Sequence, residues 1–167
     1  MNQSRNPHFS DLLNPLHFLS LGFGSGLIKP APGTWGTIAA LPIWWFLLSG
    51  LDILYYSLIV LLSFFVGIYL CGYTATALGK HDHGSIVWDE FVGVWIALAF
   101  VPTSIVSMLI GFAFFRLFDI VKPYPIKLLD KHVHGGFGIM IDDVLAGFFA
   151  LICTHLTLAL IPISFLT

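Results

Sequence analysis

Nine acidic residues occur in this 167-residue chain, and four of them form adjacent pairs, Asp89-Glu90 and Asp142-Asp143. Each pair stands just before an apolar stretch, and Asp119 stands just after another. Two neighbouring carboxylates at a helix start cannot both face lipid, and repulsion disfavours ionising both unless a cation lies between them. Together the pairs offer four carboxylates to a hard, oxygen-seeking ion such as Mg²⁺. The plain alternative is that acids in a first helical turn cap free N–H groups and complement the helix dipole. For one pair that alternative would suffice. Two pairs, with Asp119 beside them, favour a metal site built from Asp89, Glu90, Asp119, Asp142 and Asp143.

Arg116, Asp119 and Lys122 are spaced by three, so they share a helix side if the helix runs on to Pro123 and Pro125. They read either as a salt-bridged helix end at an interface or as a metal ligand flanked by two phosphate partners. The segment from Gly22 to Thr37 is rich in glycine and proline, and Thr34 or Thr37 is placed to cap the helix that follows. It lacks the Gly-Lys-Ser/Thr of a phosphate-binding loop and the strand–helix setting of a dinucleotide fingerprint. Alone it reads as an interfacial turn. His81, His83, His132 and His134 form His-x-His pairs without further zinc ligands, so solvated loop histidines are the simpler reading. His155, within an apolar stretch, is expected to make an interhelical hydrogen bond. Gly135, Gly136 and Gly138 are expected to let a loop turn towards Asp142. Cys71 and Cys153 read as small buried hydrophobes. No cysteine-phosphatase loop, Asp-x-Asp nucleophile pair or Gly-x-Ser-x-Gly elbow is present.

The elements that must position these groups are apolar. The composition is 57% hydrophobic and 10% charged, with a mean hydropathy of +0.92, whereas soluble domains carry roughly 25% charged residues. The expected fold class is all-α, an integral membrane helical bundle of about four to five apolar helices plus an N-terminal interfacial helix. The chain reads as a single membrane-embedded domain, 1–167, with 1–20 as the interfacial segment. The spacing of Phe9, Leu12, Leu13, Leu16 and Leu19 predicts a short helix bent near Pro15. Apolar segments follow at about Thr37–Leu51, Ile53–Cys71, Phe91–Val101, Ser104–Phe118 and Val144–Leu166, and only the second and fifth reach the length of a crossing. Every lysine and arginine falls outside the tight turns near Asp52 and Pro102, which places the N-terminus and the longer loops in the cytoplasm. No basic run suggests nucleic acid, and no obligate protein partner is evident. The start of the chain is polar, without an apolar run and small-residue cleavage site.

Four motifs, in order, resemble the phosphatidylglycerophosphatase A family of bacterial membrane enzymes. They are Lys29–Thr37 (KPAPGTWGT), Trp88–Gly93 (WDEFVG), Phe115–Pro125 (FRLFDIVKPYP) and Gly138–Gly147 (GIMIDDVLAG). The similarity runs from about Phe18 to Leu160. It implies an all-helical enzyme of the inner membrane, multi-pass, with its active site on the cytoplasmic face. The reaction implied is Mg²⁺-dependent hydrolysis of phosphatidylglycerophosphate, a phospholipid substrate in the bilayer, to phosphatidylglycerol and inorganic phosphate. On that reading Asp89, Glu90, Asp142, Asp143 and Asp119 hold the metal. Lys29, Arg116 and Lys122, with N–H groups near Thr34, bind phosphate, and Asp142 or Asp143, with Asp119 beside them, serves catalysis by orienting water. A covalent aspartyl-phosphate route stays open. Two rivals come from other classes: a noncatalytic anionic-lipid binder and a small cation transporter.

Overall fold

The computed structural model describes residues 4–162, and among these every regular element is helical. A 3₁₀ segment, Phe9–Leu13, leads into α1 (Pro15–Ser20), and a second, Gly22–Leu27, follows it. The bend falls where Pro15 predicts it, and the Asn14 side chain caps α1 by accepting from the Leu16 N–H at 2.9 Å. Arg5 donates to both carboxylate oxygens of Asp11, at 2.8 and 2.9 Å. Those bonds hold the Asp11 carboxyl down at about 2 against the opposing effect of partial burial. His17 is buried and pairs with Thr74 Oγ1 at 2.9 Å.

The next helix, α2 (Pro32–Ile43), starts five residues earlier than the apolar pattern indicates. Pro32 occupies its first position, where a missing N–H costs nothing. Neither Thr34 nor Thr37 caps it, because the cap position is Ala31; Thr37 Oγ1 instead donates to the Gly33 carbonyl at 2.9 Å. Pro42 removes an N–H from the ladder, and the chain continues as a π turn, Trp44–Leu48. α3 (Ile53–Leu78) is capped at one end by Asp52, which accepts from Leu54 and Tyr55, and stops at Gly79 in a left-handed conformation. α4 (Trp88–Ala97), α5 (Ile105–Val121), α6 (Ile126–His132) and α7 (Gly135–Ala159) complete the fold. α6 was not legible in the loop between Asp119 and Asp143.

Two helices, α3 with 26 residues and α7 with 25, are long and apolar enough to cross a membrane. α3 exposes Leu54, Leu58, Leu61, Leu62, Phe65 and Tyr69 along its length, an apolar stripe of the kind that marks a membrane or protein contact. α4 has only ten residues, about 15 Å of helix, and all but Glu90 are buried. The expected crossing over Phe91–Val101 is therefore a short central helix enclosed by the others. The expected fifth segment, Val144–Leu166, begins instead at Gly135, and its last part, 163–166, lies outside the described residues.

A buried helix end must find partners for its free carbonyls. Those around the C-terminus of α4 are met by side chains from three directions. Tyr56 of α3 donates to the Trp95 carbonyl at 2.5 Å, and Trp44 Nε1 donates to the Leu98 carbonyl at 3.2 Å. His155 Nε2 of α7 pairs with the Ala99 carbonyl at 2.9 Å, the interhelical bond expected of it, which fixes the proton on that nitrogen. α4 and α7 pack backbone to backbone. A Cβ on Gly147 would lie 2.5 Å from the Gly93 carbonyl oxygen and 3.0 Å from Ile96 Cβ. Replacing Gly147 with alanine is expected to lower stability by about 1–3 kcal/mol, the cost of overpacking. Gly50→Ala, at a position with nothing within 4 Å, is expected to change little. Thermal midpoints of both variants in one detergent check this, and equal midpoints would refute the close α4–α7 contact.

Candidate active site

α4 begins at Trp88, so Asp89 and Glu90 lie inside its first turn rather than before the helix. Asp142 and Asp143 were expected at a helix start; they sit about two turns inside α7. The Gly135–Gly138 segment, read as a loop, is the first turn of that helix. Gly135 there has φ of 76°, and a Cβ on Gly136 would collide with the Ile68 carbonyl of α3. Lack of side chains thus allows α7 to start early and close against α3. The α4–α7 contact at Gly93 and Gly147 then brings the two acidic pairs face to face.

Carboxylate oxygens of Asp89, Glu90 and Asp143 lie within 4.8 Å of one another. Asp89 Oδ1, Glu90 Oε2, Asp142 Oδ1 and Asp143 Oδ2 are all buried without a hydrogen-bond partner. Buried carboxylates are not left unpaired in this way unless something else neutralises them. A divalent cation fits the donor set: hard oxygens, several negative charges, little competing hydrogen bonding. Asp89, Glu90 and Asp143 are the residues that would hold it.

The other two expected ligands are engaged by cations. Arg116 Nη1 lies 2.6 Å from Asp119 Oδ2, 3.9 Å from Glu90 Oε1 and 3.3 Å from Thr37 Oγ1. Lys122 does not continue the helical side of Arg116 and Asp119, because α5 stops at Val121 and Lys122 adopts a left-handed φ of 44°. That strained conformation accompanies Lys122 Nζ lying 2.7 Å from Asp130 and 2.5 Å from Asp142. Burial alone would lower its pKa, but these two bonds more than reverse the effect, so the ammonium stays charged.

These groups line one cavity of about 260 Å³, walled by Pro32 and Gly33 of α2, by Asp89 and Glu90, by Arg116, Asp119 and Lys122, by Asp142 and Asp143, and by the loop residues Asp82, Gly84 and Ile86. Seven of the nine expected site residues meet there. Thr34 sits one residue beyond the cavity wall, in the first turn of α2, and Lys29 is an exposed loop residue outside the lining. Asp82 and Asp130 were missed. Asp82 sat between two histidines that drew attention to zinc, and Asp130 lay in a stretch with no helical signal. Gly33 was quoted only as part of a motif. A Cβ there would fall on Glu90 Oε1 and push that carboxylate aside, so glycine leaves Glu90 its place beside the α2 N-terminus.

The sequence profile of phosphatidylglycerophosphatase A matches residues 18–158, the span that contains every cavity residue. The chain belongs to the phosphatidylglycerophosphatase A family. A Haemophilus influenzae protein named phosphatidylglycerophosphatase A is 55% identical over 142 residues, 84% of this chain and 87% of the relative. An Escherichia coli protein of the same name is 53% identical over 135 residues, 80% of this chain and 78% of the relative. A Bacteroides thetaiotaomicron protein, provisionally named phosphatidylinositol-3-phosphatase, is 40% identical over 141 residues, 80% of this chain and 87% of the relative. No solved structure matches the chain.

For this member of the phosphatidylglycerophosphatase A family, cation binding at the Asp89–Glu90–Asp143 trio is expected to raise the thermal midpoint saturably. At a hundredfold excess over the dissociation constant the gain is about 2.7 kcal/mol. Asp143→Asn is expected to lose that gain while matching or exceeding the wild type in chelator, since one repelling charge is gone. A midpoint insensitive to Mg²⁺ in the wild type would remove the trio as a metal site.

Proposed function

We propose that this protein is a Mg²⁺-dependent lipid phosphatase, a phosphoric monoester hydrolase that converts phosphatidylglycerophosphate to phosphatidylglycerol and inorganic phosphate. The names of its relatives supply the substrate. The observation that carries the mechanism is the charge balance of the cavity, where carboxylates outnumber cations three to one. A phosphate monoester is itself an anion and would be repelled from such a site at close range. It can enter only together with positive charge, and the unpartnered oxygens of Asp89, Glu90 and Asp143 are where that charge would be held.

Bound there, Mg²⁺ would supply Lewis-acid polarisation of a phosphoryl oxygen and stabilise charge on the leaving oxygen. The chain's own residues do the rest. Arg116 and Lys122 reach across the cavity from the α5 end and donate to the remaining phosphate oxygens, partly exchanging their bonds to Asp119 and Asp142. Asp142 keeps one oxygen on Lys122 and has the other, Oδ1, free to accept a proton from an attacking water. The water oxygen bonds to phosphorus, the bond from phosphorus to the glycerol oxygen breaks, and that oxygen takes up the proton that Asp142 received from the water. Lys29, an exposed loop residue three positions before α2, would attract the anionic headgroup from outside the cavity, whereas the Thr34 and Trp35 N–H groups already donate to the Ala31 carbonyl, at 3.0 and 3.3 Å.

The setting we propose is a multi-pass bundle in a bacterial inner membrane, one domain, with the N-terminus and cavity on the cytoplasmic side. Supporting this, all seven basic residues fall in the segments at the cavity end of α3, α5 and α7, while the opposite end of α3 carries only Asp52, used as a helix cap.

Phosphate release from phosphatidylglycerophosphate in mixed micelles tests the assignment. The wild type is expected to need Mg²⁺, and Asp143→Asn to fall by about a hundredfold or more, in line with loss of a group acting on developing charge. Lys122→Met is expected to raise KM and lower kcat together, because Lys122 contacts both phosphate and the catalytic carboxylate. Release retained in Asp143→Asn would sink the metal mechanism. A folded wild type that releases nothing would return the noncatalytic lipid binder to first place.

A further inference from the structure

The helix faces that meet at Arg116 and Thr37 continue beyond the cavity, and their character changes. On α2, every fourth residue from Gly33 gives Thr37, Leu41 and then Trp45 in the π turn; on α5, which runs the opposite way, Asp119 and Arg116 are followed at helical spacing by Phe112, Met108 and Ile105. At the far part of this seam lies a groove of about 420 Å³, with Leu41, Trp45, Met108 and Ile105 in its walls and no polar residue in its lining. It is open on its outer side, where Phe46 is 79% exposed and Ile105 63%. Pro42 and the π turn loosen the α2 ladder at this level.

We propose that this seam seats one acyl chain of the phospholipid whose headgroup phosphate enters the cavity, an inference that rests on the lipid-phosphatase reading above. Both walls of the groove are helices that also wall the cavity, so a single amphiphile can occupy both parts without crossing a helix. The charge pattern matches such a molecule: Arg116, Lys122 and the carboxylates that would hold a metal at one end of the seam, only hydrocarbon at the other. Length matches too. From Arg116 to Ile105 the α5 face extends roughly 16 Å at 1.5 Å per residue, close to one leaflet of a hydrocarbon core about 30 Å thick. Two other largely apolar grooves, about 390 Å³ between α3 and α7 and about 680 Å³ along α3, are walled by α3, which contributes nothing to the cavity.

Two measurements on the full chain in phosphatidylcholine nanodiscs test this. The first is photolabelling with phosphatidylglycerophosphate carrying a diazirine in one acyl chain. Adducts are expected on peptides containing Leu41–Trp45 and Ile105–Met108, displaced by unlabelled phosphatidylglycerophosphate at about one-tenth the concentration of added phosphatidylcholine or less. Adducts spread over the exposed face of α3, or displaced equally by both lipids, would make the groove an ordinary lipid contact and overturn the proposal. Adducts on the seam lost when a second copy of the chain crosslinks there would overturn it in favour of a protein interface.

The second measurement fills the groove with Met108→Trp, and separately Leu41→Trp in case either variant fails to fold. KM for the diacyl substrate is expected to rise about tenfold, while turnover of the deacylated, water-soluble headgroup stays at the wild-type rate. Equal effects on both substrates, or none on either, would overturn the seat. Specific seam labelling by a wild type that hydrolyses neither substrate would instead bring down the phosphatase reading and leave an anionic-phospholipid seat standing.

Discussion

The approach of α4 to α7 at Gly93 and Gly147 is the constraint on which the remaining arrangement depends. With no side chain at either position, the two helices come within backbone contact. That distance sets their acidic turns opposite each other. Nothing in the packing of the apolar residues alone favours this juxtaposition, since like charges brought together out of water are costly. The cost is offset by the enclosure of α4, whose Phe91, Val92, Val94 and Ala97 are fully buried. Core burial thus holds a destabilising cluster in place, a pattern found where strain serves a site.

The cavity's electrostatics follow from how its cations are distributed. Arg116 is shared among Asp119, Glu90 and Thr37, and Lys122 is held between Asp130 and Asp142. Each is therefore preorganised, yet neither reaches the free oxygens of Asp89 and Asp143. Two kinds of carboxylate result. Those paired with cations orient the donors that would meet a phosphate, and those left unpaired retain their affinity for a metal. A site of fully paired acids would bind neither metal nor anion well, and one of fully unpaired acids would exclude phosphate.

How far the sequence reveals this depends on whether the signal is local. The cap at Asp52, the break at Asn14–Pro15 and the stop at Gly79 obey short-range rules and stand where those rules put them. The acidic pairs were legible as a site because carboxylates are so costly next to lipid. By contrast, the start of α7 was hidden because Gly135-Gly136-Phe-Gly138 carries a loop signature, and only the close packing of Gly136 on α3 explains its helical state. Lys122 was expected on the helix side of Arg116 on the condition that α5 runs on to the prolines, and spacing cannot announce the left-handed residue that ends it. His17 is buried against a partner 57 positions away, which no local pattern announces. In each case the missing information was tertiary.

The short length of α4 fits the proposed bilayer setting better than a full crossing would. α5, with 17 residues, rises about 25 Å, some 10 Å more than α4. The difference is taken up by residues 98–104, which are not helical. Irregular backbone at membrane depth is tolerated only where protein covers it and satisfies its polar groups. Here Ala99 and Val101 are buried, Trp44 donates to the Leu98 carbonyl, and His155 pairs with the Ala99 carbonyl. Trp44, Tyr56 and His155, polar groups within apolar segments, are the means by which a half-length helix is held in place. Its N-terminus, where the dipole is positive, is thereby fixed at the level of the cavity, and the carboxylates of Asp89 and Glu90 stand where a lipid headgroup would lie.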